Sequence, residues 1–404
     1  MNTLIEKKKL SDRINSLEES ATIGMAKKAR ELASKGIEVI NLSFGEPDFQ
    51  TPQHIKDAAK KAIDDGFTFY TPVSGISDLK NAIVTKLKRD NGLDYKPEQI
   101  VVSTGAKQSI ANAILCLVNP GDEVIIFSPY WVSYSELVKL AEGIPVLVEG
   151  TLEYDFKPTI EQVRAAISSK TKVIMYSSPC NPTGSVFTEH ELRELANEVL
   201  KHDNLYVIAD EIYEYINFGE KHVSIASFPG MAERTCLVNG MSKGFAMTGW
   251  RIGYMASPKW LADACDKLQG QVTSGTCSIA QKAAVAGLLG DMSPTYEMNK
   301  AFLKRRNLCY DLLKEIPGIR VNLPKGAFYF FFEVKNYFGK TSADGFTIKN
   351  ADDFCMYVLN DAHVSLVPGG AFGSPNYVRM SFAASEDNLK KALARIKESL
   401  SKLI

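Results

Sequence analysis

Between residues 100 and 209, short apolar runs and amphipathic stretches alternate without a break, and few architectures accept that order. Extended runs at 100–102, 123–127, 144–148, 172–176 and 205–209 are separated by helical patterns at 108–117, 132–141, 159–167 and 189–201. This alternation predicts an α/β fold: a mostly parallel, seven-stranded-type sheet covered by helices on both faces. In such sheets a ligand sits outside the carboxyl ends of the strands. The loops that follow the strands are therefore where chemistry is to be sought.

The flanks read differently. Helical patterns at 22–34, 52–65 and 75–91 precede the alternation, and a long helical region covers 258–316. After Pro317-Gly318 isolated extended runs appear at 328–333, 364–367 and 377–381, with helices near 352–361 and 386–402. The 404 residues are enough for two domains. The expected division is an N-terminal arm with part of a small domain at 1–50, a large domain at 51–299, and a smaller α+β domain at 300–404.

Charge narrows the partners. Basic and acidic residues number 47 each, so the positive field that a nucleic acid or a polybasic membrane contact needs is missing. Seven widely spaced cysteines without Cys-x-x-Cys, and five histidines without a ligand pattern, argue against structural disulfides and a zinc site. No signal peptide and no run of membrane-spanning length is found, and a cytoplasmic protein is expected.

Four strand-end loops carry reactive residues. After the run Cys236-Leu237-Val238 comes Ser242-Lys243-Gly244, then Arg251 between Gly249 and Gly253. A lysine among small residues can bring its amine to a carbonyl and, buried beside another cation, becomes nucleophilic. A planar guanidinium held by glycines suits a phosphate. Alone, a Ser-Lys on a loop is more often a solvated surface feature. Gly105-Ala106-Lys107 leads a strand into a helix, an anion site or an ordinary cap. In Ser178-Pro179-Cys180-Asn181-Pro182, two prolines fix the asparagine for a ligand, or for its own turn. Asp210 ends an apolar strand and needs a cationic partner, with Tyr213 three residues on. Trp131 is a stacking plane or core. Arg379, in an apolar strand, requires a substrate carboxylate or a buried acid.

In their order, Ser-Pro-x-Asn-Pro-Thr-Gly, Asp-Glu-x-Tyr and Ser-Lys-x5-Gly-x-Arg-x-Gly resemble the class I/II, fold-type I aminotransferases that use pyridoxal 5′-phosphate, most closely the bacterial aspartate aminotransferases. The resemblance runs from Asn41–Asp48 to Arg379. It implies that Lys243 is the Schiff-base lysine and that Asp210 pairs with the pyridinium nitrogen. Tyr213 and Asn181 would bond the phenolic oxygen, and Trp131 would stack on the ring. Gly105, Ala106, Lys107, Ser242 and Arg251 would surround the cofactor's phosphate end. Tyr70 would reach the active site of the neighbouring subunit in a homodimer. Arg379 would anchor the substrate α-carboxylate beside the Gly45 backbone.

The implied reaction is ping-pong transfer between an amino acid and a 2-oxo acid, with Lys243 moving the substrate Cα proton. Lys107 resembles a lysine facing a distal carboxylate, and Ser20 and Thr22 stand where small hydroxyl residues lie near it, so aspartate with 2-oxoglutarate is expected. Glu18, an acid where prephenate-using relatives carry a base, argues against prephenate. Alternatives are an aromatic or alanine-type aminotransferase, a carbon–sulfur lyase of the same fold, or a ligand-binding module without catalysis.

Overall fold

The computed structural model describes residues 9–19, 21–219 and 221–404. Among them the largest sheet has seven strands. Their spatial order is Ile100–Ser103, Gly253–Ala256, Thr235–Gly240, Tyr206–Asp210, Thr171–Ser177, Glu123–Ser128 and Ile144–Glu149. All pair in parallel except Gly253–Ala256, which is antiparallel to both neighbours. The runs 124–126, 173–175 and 207–209 are fully buried, as expected of strands covered on both faces rather than alternating in and out. The covering helices include Ala106–Leu117, Ser133–Leu140, Ile160–Ala166 and Glu189–Val199. The fold class is the one the alternation predicts.

Two elements differ from the sequence reading. The Gly253–Ala256 strand is not among the extended runs read from the sequence, because four residues beginning with glycine carry little strand signal. Its conformation comes from pairing on both sides. A side chain at 253 would strike the backbone of Gly105 and Ala106, so glycine lets this strand pass beside the start of the Ala106 helix. The helical region at 258–316 is three helices, Lys259–Val272, Ser278–Leu289 and Ser293–Lys314. They are separated by left-handed Ser274 and by Gly290. The third runs unbroken through residues 299 and 300.

A second sheet orders Val367–Pro368, Tyr377–Ser381, Tyr329–Glu333 and Arg320–Val321, all antiparallel. Its centre is the run Phe328–Phe332, with no exposed surface at any position. Burying each such ring stabilises the fold by about 1.5–3 kcal/mol. Glu386–Ser401 packs Leu389, Leu393, Ile396 and Leu400 onto this core at helical spacing. Ile40–Asn41 pairs in parallel with Val364–Ser365, joining the N-terminal segment to the C-terminal one. No helix among the described residues is long and apolar enough to cross a membrane.

Candidate active site

The strand Tyr206–Asp210 delivers its last side chain to the carboxyl edge of the large sheet. Asp210 is buried and accepts a hydrogen bond from the Tyr134 hydroxyl at 2.7 Å and one from the Ile212 N–H at 3.2 Å. Burial pushes its carboxyl up to about 6, against those two bonds, which favour the ionised form. Among the described residues no cation forms an ion pair with it, Lys243 acting only from a distance. Tyr134 was not singled out from sequence. Its signal is its place three residues after Trp131, which puts both aromatics on the turn that leads into the Ser133–Leu140 helix, edge to face at 5.6 Å.

Lys243 follows the neighbouring strand Thr235–Gly240. Its amine donates to the Gly45 carbonyl and lies 5.8 Å from the centre of the Tyr213 ring. Burial pulls its pKa down to about 8; nearby Glu46 opposes this, while Arg379 and Arg251 reinforce it. A fraction of the amine is therefore neutral near pH 7, as a nucleophile requires.

Arg251 returns at the other end of the same loop, in a left-handed conformation (φ 55°) fixed by its bond to the Thr248 carbonyl at 2.9 Å. A second donor, 3.4 Å from the Thr104 carbonyl, brings the guanidinium against Gly105. A Cβ at Gly105 would collide with it, and Gly105 itself has φ 84°. The helix that starts at Ala106 has no side-chain cap, so its first N–H groups are available to an anion.

Arg379 comes from the second sheet. It is buried, donates to Asn181 Oδ1 at 3.0 Å and to the Ser43 carbonyl at 2.6 Å, and lies over the Tyr329 ring at 4.5 Å. Its Nε has no partner and no acid pairs with it among the described residues. A buried guanidinium without a counter-charge calls for an anionic ligand. Tyr329, also absent from the sequence reading, shares a 2.8 Å hydrogen bond with Tyr213. A lone hydroxyl in a run of phenylalanines is the signal that could have found it, since a buried hydroxyl needs a partner.

These groups open on one cavity of about 300 Å³. Lys243 and Asp210 line it together, as do Asn181, Tyr213, Arg379 and Gly45. Ala106, Ser242 and Arg251 stand on its wall, with Trp131, Lys107 and Thr22. The Lys107 ammonium lies 4.8 Å over the Trp131 ring, and burial, then Arg251, lowers its pKa. Tyr70 is not brought to this cavity: it is wholly exposed. Ser20 lies outside the described residues. Glu18 is exposed, and its backbone N–H donates to Glu136.

Behind the site, Glu211, Glu214 and His222 form the group among the described residues that could hold a metal ion. Lys86, itself fully buried, already pairs with Glu214. Burial disfavours the His222 imidazolium, but Glu211 and Glu214 outweigh it and hold its pKa above the ordinary value. With Lys86 and a protonated His222 set against the two carboxylates, the charges of this buried quartet would balance.

The cavity fits pyridoxal 5′-phosphate on four counts. An amine of lowered pKa and an acid in no ion pair share it, and a guanidinium stands against a glycine beside an uncapped helix start. A second guanidinium with an unused buried N–H faces in. The volume is at the small end of cofactor sites, about 300–1,000 Å³.

Comparison with known proteins agrees. Residues 37–396 match the family described as aminotransferase class I and II. The chain is 46% identical to an aspartate aminotransferase of Geobacillus stearothermophilus, covering 96% of this chain and 98% of that one. It is also 46% identical to a bifunctional aspartate aminotransferase and glutamate/aspartate-prephenate aminotransferase of Petunia hybrida, over 97% and 82%. The crystal structure of an aspartate aminotransferase from Rhizobium meliloti superposes with a TM-score of 0.95 at 42% identity, covering 98% and 99%. The chain belongs to the class I and II aminotransferases, enzymes that move amino groups with pyridoxal 5′-phosphate.

Proposed function

We propose that this aminotransferase moves the amino group of aspartate to 2-oxoglutarate by a ping-pong route. The carrying observation is the placement of two separate cations, Arg379 and Lys107, on one cavity with no acid paired to either among the described residues. A dicarboxylate offers one charge to each, whereas alanine or phenylalanine would leave Lys107 unmatched. The names of the curated relatives support the same donor.

Bound pyridoxal 5′-phosphate supplies a carbonyl to carry the amino group and a ring to take up electron density from the breaking bond. Lys243 would hold it through its amine, Arg251, Ser242 and the Gly105–Ala106 turn would take its phosphate, and Trp131 would cover its face. Asp210, ionised beside the ring nitrogen, would keep that nitrogen protonated. Arg379 grips the substrate α-carboxylate with Asn181 beside it, and Thr22 closes the distal side. The freed Lys243 amine takes the proton from the substrate Cα and returns it. Its lowered pKa suits both directions.

The test is a panel of donors. Aspartate should show the highest kcat/KM. Lys107→Ala should lower that value by about 10- to 100-fold, the cost of a lost charge-assisted bond, while alanine turnover changes little. Equal losses for alanine and aspartate would remove Lys107 from the distal carboxylate. Prephenate is expected to be a poorer acceptor than 2-oxoglutarate, because the chain has an acid, Glu18, where the resemblance puts a base in prephenate-using relatives. Release of pyruvate and ammonia from cystathionine would favour the lyase.

Exposed aromatics support a homodimer in which Tyr70 completes the neighbouring site. Tyr70 is wholly exposed and Phe69 is 83% exposed, a cost that a second subunit would remove. Light scattering should give twice the 44.6 kDa chain mass; a monomeric mass at full activity would end this reading. Free thiols at all seven cysteines support a cytoplasmic setting. The proposed division at about residue 300 falls inside the Ser293–Lys314 helix, and the Ile40–Asn41 pairing supports grouping the N-terminal segment with the smaller part.

A further inference from the structure

Two hydroxyls and one cation meet at the seam between the sheets. Tyr213 and Tyr329 share a hydrogen bond of 2.8 Å, and either oxygen could be the donor. The Arg379 guanidinium lies over the Tyr329 ring, 4.5 Å from its centre. The Tyr329 hydroxyl occupies the space that a side chain at Gly45 would need: a Cβ there would come within 2.6 Å of it.

A hydroxyl pair has two hydrogens and shares one. The other must leave toward an acceptor. Tyr329 also borders the cavity but has no exposed surface, and its ring lies under a guanidinium, which offers hydrogens and no lone pairs. Tyr213 keeps 3% of its surface open and lines the cavity with Lys243. The arrangement with the better outlet has Tyr329 donating and the Tyr213 hydrogen directed into the cavity. Donation into an oxygen also strengthens that group's own hydrogen as a donor.

We propose that Tyr329 is a positioning residue: its hydroxyl donates to Tyr213 Oη and so aims the Tyr213 hydrogen at the bound ring, while its ring carries the Arg379 guanidinium. One side chain thereby joins the group that grips the substrate carboxylate to the group that faces the cofactor oxygen. This rests on the reading that Tyr213 bonds that oxygen.

The test uses the cofactor-loaded enzyme and separates the two halves of the side chain. The readout for the hydroxyl is the pH at which the absorption of bound pyridoxal 5′-phosphate changes. A donor to the oxygen favours its anionic form, so weakening the donor moves the transition upward. Tyr329→Phe removes one hydroxyl, keeps the ring, and should shift the transition up by about 0.5–1 pH unit. Tyr213→Phe should shift it further, and the double variant should go no further than Tyr213→Phe alone.

The readout for the ring is KM. Tyr329→Phe should change KM for aspartate less than about twofold, whereas Tyr329→Leu should raise it about 3- to 30-fold by removing the surface under Arg379. If Tyr213→Phe moves the transition and Tyr329→Phe does not, or if their shifts add, the proposed link falls while the site stands. If neither moves it, the placement of Tyr213 against the cofactor falls as well. Equal KM for Tyr329→Leu and the parent would overturn the Arg379 half.

Discussion

Lys243→Ala should lower amino transfer by at least about 10²–10⁴-fold, the usual worth of a positioned proton-transfer group. The cavity should still take up pyridoxal 5′-phosphate, because Asp210, Arg251 and the uncapped Ala106 helix do not depend on the lysine. The pH dependence of that uptake is a second signature of the same change. With its pKa near 8, the amine is mostly protonated at pH 7, and only the neutral form can attack a carbonyl. Uptake by the parent apoprotein should quicken by about tenfold from pH 6 to 7 and level off above pH 8. In Lys243→Ala the rise should vanish. Stopped-flow absorbance reads both. Ordinary turnover by a purified Lys243→Ala protein would remove this residue from the chemistry.

Asp210→Asn carries the second large effect, with opposite signs for activity and stability. An amide cannot keep the ring nitrogen protonated, so turnover should fall by about 10²–10³-fold. The apoprotein should become more stable. In the folded chain the Asp210 carboxyl titrates near 6, above its ordinary 3.8. A raised acid contributes stability below its unfolded value and loses it as pH rises through the folded one. Above pH 6 the parent bears the whole cost of a buried charge, about 1–3 kcal/mol, and the amide does not. The amide oxygen can still accept from Tyr134. Urea unfolding of the two apoproteins should therefore separate them at pH 7.5 and bring them close together below pH 4. Equal midpoints at pH 7.5 would mean that burial of this acid is not the strain described.

The sequence made some of these groups easy to find. Lys243, Asp210 and Asn181 follow strands of a regular βα alternation, and each is of a type that its apolar surroundings make costly. Arg379 stood out for the same reason, as a charge in an apolar strand. Tyr134 and Tyr329 escaped notice because aromatic residues are at home in a core, and a hydroxyl becomes informative only when its partner is known. The Gly253–Ala256 strand escaped because its conformation is imposed by two neighbours remote in sequence. The role proposed for Tyr70 rests only on family resemblance, since an exposed aromatic on a turn has no signature within one chain.

Gly253–Ala256 closes on Thr235–Gly240 with Gly240 opposite Gly253, so the segment from 241 to 252 is a loop with both ends clamped. Lys243, the proposed nucleophile, and Arg251, proposed to face the phosphate, ride on it as one piece. A single inserted or deleted residue there would leave the sheet in register yet swing the two groups out of step. Chain length in that interval would thus be a ruler for the cofactor, from its reactive carbon to its phosphate.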